Sequence, residues 1–340
     1  MTPTTPTQPL TLLISSVALE RWGARIEAAV PPGAVRFLTT EAAGADPGPS
    51  SSDIAFMTRE VTGRSGKGSP TPELVNFDAI VRRSPRLTWL QIHPAGADRQ
   101  IYAELRQRGV TVSTASGATA VTVAHSILGA VIAVNRRFPL LADAQRRHAW
   151  EPRLGPASPR DLGGQHAVVV GLGPIGRNLA PLLSMLGMSV TGVRRSPEPV
   201  AGCARTIGFE ALDSVIATAD WLILCCPLSA TTRGLGNAQR FAAMPRGAQV
   251  VNASRGAVVV EADLIAALTS GHIAGAYLDV FELEPLAASS PLWDMPNVIV
   301  SPHTASHSLG QADAVFAIFL DNLARFRDGR PLRNDAGRLD

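Results

Sequence analysis

Lysine is almost missing from this sequence. Lysine and arginine together number 31, and Lys67 is the one lysine among them. A Schiff-base or pyridoxal mechanism needs a lysine made less basic in a sheltered pocket. Lys67 sits in the Gly/Ser stretch "TGRSGKGSP", which reads as a solvated surface turn, so that chemistry is excluded. The stretch also fails as a phosphate loop, because Val61 stands where the first glycine belongs and Gly68 replaces the Ser/Thr. Cysteine is scarce as well, at three residues. Cys225 and Cys226 are adjacent in an apolar run, and with Cys203 they suit burial better than a disulfide framework or a metal site. The opening "MTPTTPTQP" lacks a basic n-region and reads as a frayed tail. Together with the cysteines it points to a reducing cytoplasm. No run of basic residues concentrates the formal charge of +3, so nucleic-acid binding has no footprint. The most apolar stretch, 118–134, is shorter than the about 20 residues that a membrane span needs. It carries His125 near its middle, and a buried helix at a subunit interface is expected instead.

What is present is alternation. Strand-like runs at 10–15, 53–57, 87–92 and 110–113 are interleaved with helical patterns at 18–29, 71–83 and 98–108. After an apolar helix over 118–138 a second series opens, with strand-like runs at 166–173, 188–193, 221–226, 248–253, 273–280 and 298–301. The Pro/Gly-rich stretch 150–165 reads as a connector. Alternation of this kind predicts parallel sheets covered by helices, here in two α/β domains.

"VVVGLGPIGRNLA" places Gly171, Gly173 and Gly176 in G-x-G-x-x-G spacing after a β-branched run and before a helix. Gly171 permits a tight turn, Gly173 lets the backbone approach a pyrophosphate, and Gly176 lets helix and strand pack closely. Pro174 fits the first turn of that helix, followed by Ile175, and the helix N-terminus faces the anion. Dinucleotide binding is the expectation. An NAD-preferring site carries an acid roughly 20 residues beyond the glycines. Here Arg194, Arg195 and Ser196 occupy that position with no acid in evidence. Two guanidinium groups and a hydroxyl suit a 2′-phosphate, which favours NADP(H) over NAD(H).

Six stretches in order, "LTWLQIHPAGADR", "GLGPIG", "CCPLSATTRGLGN", "VNASRGAVV", "AGAYLDVFELEPL" and "SPHTAS", resemble the D-isomer-specific 2-hydroxyacid dehydrogenases from about 87 to 307. The resemblance implies a Rossmann cofactor domain (118–305) inserted into a flavodoxin-like substrate domain (1–117 and 306–340), with the last helix, about 308–327, returning to the first domain. Both domains would be doubly wound parallel sheets. It also implies a homodimer through the 118–138 helix. The activity implied is hydride transfer between NADP(H) and a small 2-keto or 2-hydroxy acid, without a metal.

Site roles follow motif by motif. Arg255, in "VNASRG", would hold the substrate carboxylate and the neighbouring carbonyl oxygen through its forked donors. His303, in "SPHTAS", would give or take the proton, since histidine titrates near neutral pH. Glu284, in "VFELEP", would orient that ring and favour its charged form, while Glu282 falls two places early and is assigned to solvent. Asp279 resembles the family residue near the nicotinamide carboxamide, although a strand-end acid holding a loop reads equally well. Pro227 and Thr232 would line the nicotinamide ribose. In "HPAGADR" the amides around Gly96 and Ala97 would hold the substrate carboxylate, glycine allowing close approach. His93 departs from the family's small hydroxyl residue and either shapes the substrate pocket or packs against Trp89. Ala124 departs from a family acid on the long helix. A formate enzyme would carry an amide in place of Glu284. Phosphite oxidation on the same scaffold, and a dinucleotide-sensing co-repressor, remain as alternatives because both can keep the Arg/Glu/His set.

Overall fold

The computed structural model describes residues 8–63, 70–152, 155 and 158–338. The tail at 1–7, the Lys67 loop at 64–69, connector positions 153, 154, 156 and 157, and the last two residues lie outside the described residues. The chain divides into two compact units, Met1–Ala118 with Leu309–Asp340, and Thr119–Ser308.

The first unit holds five parallel strands: β1 (Leu10–Ile14), β2 (Val35–Thr39), β3 (Ile54–Met57), β4 (Trp89–Ile92) and β5 (Thr111–Ser113), in the order β2-β1-β3-β4-β5. This is the flavodoxin-like order. Successive side chains face opposite sides of a sheet, and both sides are covered here. Leu13, Ala55, Leu90 and Val112 pack with the helices Pro72–Arg82 and Gln100–Gln107. Leu12, Ile14, Ile54, Phe56 and Trp89 pack with the helices Ser16–Ala28 and Gln311–Arg327. Three of the crossover helices open on a hydroxyl cap, with Ser15, Thr39 and Thr71 each accepting an amide of the first turn, the arrangement that satisfies an otherwise orphaned donor. Strand β2 was not among the expected runs. It is an edge strand with largely half-exposed positions, so its hydrophobic signal is weak.

Aromatic stacking fixes the helix Gln311–Arg327 to this unit. Phe319 stacks on Phe56 at 4.3 Å and on Trp89 at 5.5 Å, and Phe316 stacks on Trp22 at 4.8 Å. A buried polar chain adds direction. Trp89 Nε1 donates to Ser113 Oγ (2.7 Å), Ser113 Oγ donates to Gln91 Oε1 (2.8 Å), and Asn322 Nδ2 donates to the same oxygen (3.0 Å). Asn322 Oδ1 accepts the amide of Arg333 (2.8 Å). Each donor is paired, and an unpaired one would cost about 1–3 kcal/mol in this interior.

The second unit holds β6 (His166–Val170), β7 (Ser189–Val193), β8 (Arg205–Ile207), β9 (Trp221–Leu224), β10 (Ala248–Asn252), β11 (Ile273–Leu278) and β12 (Val298–Val300). All pairs are parallel and the order is β12-β11-β10-β9-β6-β7-β8, which contains the Rossmann arrangement. Edge strand β8, only three residues long, was also unanticipated. The apolar helix expected over 118–138 runs instead from Ala120 to Asn135. Arg137 then takes a left-handed backbone, and a second helix, Phe138–Arg146, opens with proline in its first turn. Proline fits there because that position makes no intrahelical bond. The apolarity of Ala120–Asn135 is largely accounted for inside its own unit. Val123, Ala124, Ile127 and Val131 are buried with Leu179 and Leu183 of the helix Pro174–Met185. Among the described residues no helix is long and apolar enough to cross a membrane, and no cluster of His, Cys, Asp or Glu is placed to hold a metal.

Truncating Phe319 to alanine is expected to cost about 3–5 kcal/mol, and Asn322→Ala about 1–3 kcal/mol through the orphaned Arg333 amide. Urea unfolding followed by tryptophan fluorescence measures both. A loss below 1 kcal/mol for Phe319→Ala would contradict the assignment of this helix as a core element.

Candidate active site

Because the strands of the second sheet all run the same way, the segments after β6, β7, β9, β10, β11 and β12 leave it at one edge. Open parallel sheets bind their ligands along that edge. Every second-unit residue given a cofactor or catalytic role above lies on these segments.

After β6 the chain turns at Gly171, whose φ of +100° favours glycine. A Cβ there would meet the backbone of Cys226 at 2.6 Å. A Cβ on Gly176 would collide with the carbonyl oxygen of Gly171, so the helix can approach the turn only without it. Gly173 is different, since nothing lies within 4 Å of where its Cβ would be. The space before the helix Pro174–Met185 is therefore open, and the first-turn amides, which have no intrahelical acceptor, can hold an anion there. The residues present fit a dinucleotide pyrophosphate. Ile175 is half-buried against the core beneath. Cys225 and Cys226 are buried at the end of β9. Burial pushes both thiols up, Cys226 to about 12, so neither is a thiolate near neutral pH.

At the end of β7 the Arg194 amide donates to Ile207 of β8 (3.0 Å), which fixes where its side chain starts. Arg195 and Ser196 are exposed. The expectation that no acid stands nearby is corrected: Glu198 Oε2 lies 3.6 Å from Arg194 Nη1. It is four residues further on, past the strand end, where the strand pattern gives no guide to position. After β9, Thr232 is buried and its hydroxyl is used within its own turn. It donates to the Pro227 carbonyl (2.7 Å) and accepts from the Ser229 amide (2.8 Å) and lies 3.1 Å from the Ser229 hydroxyl. Thr232 thus shapes the segment, while Pro227 is exposed on it.

Arg255 follows β10. Its carbonyl accepts from Asn252 Nδ2 (3.2 Å), and its Nη1 donates to the Ser254 carbonyl (2.7 Å). The next residue, Gly256, was not anticipated as a site residue, yet a Cβ there would collide with the backbone of Phe281. That close approach sets the segment carrying Glu284 beside the Arg255 turn. Glu284 Oε1 accepts the Phe281 amide (3.1 Å), and Oε2 lies 2.9 Å from His303 Nδ1. A carboxylate only accepts, so Nδ1 carries the hydrogen and Nε2 is left to exchange a proton. The side chain of His303 is 49% exposed and that of Glu284 28%.

Asp279, at the end of β11, is buried and holds the segment on which His303 sits. Its carboxylate accepts from Ser301 Oγ (2.6 Å), the Thr304 amide (2.8 Å) and the Ala305 amide (3.1 Å), and its carbonyl accepts the His303 amide (2.9 Å). Ser301 Oγ also lies 2.9 Å from the Tyr277 hydroxyl. Of the two readings open for Asp279, the geometry displays the loop-holding one. Glu282, assigned to solvent, is exposed but has structural work: its carboxylate accepts the Glu261 amide (3.1 Å), and Glu261 accepts the Glu282 amide in return (3.2 Å). This caps the helix Glu261–Thr269, and burial near Glu282 raises the pKa of Glu261.

In the first unit, Gly96 and Ala97 lie on the segment between β4 and the helix Gln100–Gln107. Arg99 anchors that segment with a two-pronged bond to Asp78 (2.6 and 3.3 Å). His93 is buried at its start, while the ring of Trp89 is taken up by Phe319 and Phe326. Substituting Gly176 by alanine must displace the Gly171 turn, and it is expected to weaken dinucleotide binding about tenfold or more. A fluorescence titration with reduced dinucleotide measures this, and unchanged affinity would contradict the packing described.

Residues 128–305 match the family model described as D-isomer specific 2-hydroxyacid dehydrogenase, NAD binding domain. Among curated proteins, glyoxylate/hydroxypyruvate reductase B of Citrobacter koseri is 33% identical over 264 residues, covering 77% of this chain and 81% of that one. Two solved structures are similar along nearly the whole chain. One is a D-isomer specific 2-hydroxyacid dehydrogenase from Xanthobacter autotrophicus in complex with NADPH and MES, with TM-score 0.75 and 32% identity over 98% of this chain and 100% of that one. The other is an NADPH-dependent glyoxylate/hydroxypyruvate reductase from Sinorhizobium meliloti in complex with NADP and sulfate, with TM-score 0.74 and 28% identity over 96% and 97%. With its two parallel-sheet units, its glycine turn and this likeness along most of its length, the chain belongs to the D-isomer-specific 2-hydroxyacid dehydrogenase family, oxidoreductases that bind a nicotinamide dinucleotide.

Proposed function

We propose that the protein reduces a small 2-keto acid with NADPH, giving the D-2-hydroxy acid where the product is chiral; hydroxypyruvate and glyoxylate, whose product is achiral, are the first substrates to try. The observation that carries this is the His303–Glu284 pair at 2.9 Å, on the same sheet edge as Arg255 and the glycine turn. Arg194, Arg195 and Ser196 support NADPH over NADH, since forked guanidinium donors suit a 2′-phosphate. The named activity of the Citrobacter koseri and Sinorhizobium meliloti reductases, and the NADPH and NADP bound in the two solved structures, agree with this reading.

In this mechanism Arg255 holds the substrate carboxylate and polarises the keto oxygen. When bound, NADPH supplies the hydride that reduces the keto carbon. The carbonyl oxygen gains negative charge as it is reduced, and His303 Nε2 delivers a proton to it. Glu284 keeps the Nδ1 hydrogen in place and balances the charge of the ring whenever both nitrogens are protonated. In the oxidative direction Nε2 takes the hydroxyl proton. Asp279 acts on this step through the backbone of residues 303–305.

We further propose that two copies assemble through the surface beginning at Ala120–Asn135. Its own-unit packing leaves Val121, Phe138, Leu141 and Trp150 exposed, a set of large apolar side chains that a second copy would cover. Sedimentation of the wild type should give a dimer, and Phe138→Glu with Leu141→Glu should shift it to monomer. A monomeric wild type would end this assignment.

The activity itself is tested by following oxidation of NADPH and NADH separately against a panel of 2-keto acids. Turnover with NADPH ahead of NADH is expected. His303→Ala should lower kcat by about a hundred- to ten-thousand-fold, the range for a lost general acid, with NADPH affinity unchanged. Full turnover by His303→Ala would remove the proposed proton donor.

A further inference from the structure

We propose that Glu198 is an internal counter-ion that competes with the 2′-phosphate of NADPH for Arg194, and so limits how strongly the enzyme prefers NADPH to NADH. This rests on the assignment of Arg194 to the phosphate made above.

The two side chains differ in freedom. Arg194 leaves the end of β7 with its backbone bonded to β8, and its side chain is only 21% exposed. Its guanidinium therefore has few places to go. Glu198 is 74% exposed and sits on a tight turn, where its own amide donates to the Ser196 carbonyl at 2.8 Å. Its carboxylate can swing. At 3.6 Å the pair is attracted by charge but is too long for a hydrogen bond. Such a contact is readily given up, and directed bonds from guanidinium to phosphate replace it at a profit.

The consequence is asymmetric between the two cofactors. When the phosphate meets Arg194, Glu198 either moves off and surrenders its pair, or stays and faces a like charge a few ångströms away. Both raise the free energy of the NADPH complex. NADH presents a neutral hydroxyl at this position, leaves the pair intact and carries no such cost. Glu198 thus narrows the gap that Arg194 opens.

The test measures Kd for NADPH and NADH at low ionic strength with wild type, Glu198→Gln, Arg194→Gln and the double variant. Glu198→Gln should bind NADPH about threefold more tightly, within the range of exposed ion pairs, and NADH as before. The gain should fade at high salt, because exposed charges are screened, and it should vanish in the Arg194→Gln background. Unchanged or weaker NADPH binding by Glu198→Gln would overturn the proposal. So would an equal shift for both cofactors, which would mark a role in the shape of the turn. If wild type binds NADH as tightly as NADPH and Arg194→Gln moves neither, the phosphate assignment falls first and this inference with it. If Arg194→Gln selectively weakens NADPH while Glu198→Gln does nothing, the assignment stands and only the role of Glu198 is lost.

Discussion

The proposed chemistry depends on Nδ1 of His303 staying 2.9 Å from Glu284, and neither residue holds that distance by itself. His303 has φ of +55°, a left-handed backbone that costs a residue with a Cβ about 1–2 kcal/mol. Asp279 supports it from beneath, through two amides beyond the histidine and a hydroxyl before it. Glu284 is placed from the other side, by its bond to the Phe281 amide and by the absence of a side chain on Gly256. Two segments leaving adjacent strands are thus tied together at their base by Asp279, and the His303–Glu284 hydrogen bond closes between them further out. A buried acid that touches no reacting atom can control the proton donor in this way, since a small rotation of residues 303–305 turns Nε2 off its target.

The parallel sheet is what allows segments far apart in sequence to share an edge, and its central strands are readable because both faces are buried. A run such as "HAVVV" or "WLIL" has no competing explanation once glycine or proline bounds it. The same reasoning is blind at the sheet margins. Val35–Thr39 and Arg205–Ile207 lie at an edge, keep partly exposed side chains and carry too little apolar signal to stand out. It also extends one helix through Arg137, because apolar residues resume at Phe138 just beyond the polar Asn135–Arg137 break. The left-handed residue and the proline that restarts the next helix are backbone events, and composition records them only faintly.

Within the site the division is similar. Gly171, Gly173, Gly176, Arg255, Glu284 and His303 stand out as candidates because each occupies a fixed place in a short motif at a strand end. Residues that act through partners distant in sequence do not. Gly256 matters for a backbone 25 residues away, and Ser301 for Asp279 and Tyr277 on the neighbouring strand. Thr232 has a structural part that its motif does not display, since its hydroxyl is engaged within its own turn. Local spacing gives the chemical types, and only the folded chain tells which of them face outward.

The glycines show how strictly such a site constrains its sequence. At Gly192 an added Cβ would meet only side chains, the end of Leu172 and the sulfur of Cys203, and smaller residues at 172 and 203 relieve that. At Gly171, Gly176 and Gly256 the obstructing atoms are backbone: the Cys226 chain, the Gly171 carbonyl and the Phe281 carbonyl. No substitution elsewhere removes a backbone atom, so those three glycines have no compensating partner in the sequence. Gly171 carries a second restriction in its φ of +100°, which an added side chain would oppose even with the space cleared. Gly173 lacks both obstacles, having open space beside it and φ of −74°. Nothing among the described residues requires glycine there, and in the proposed function the open space is what lets a ligand approach the helix N-terminus.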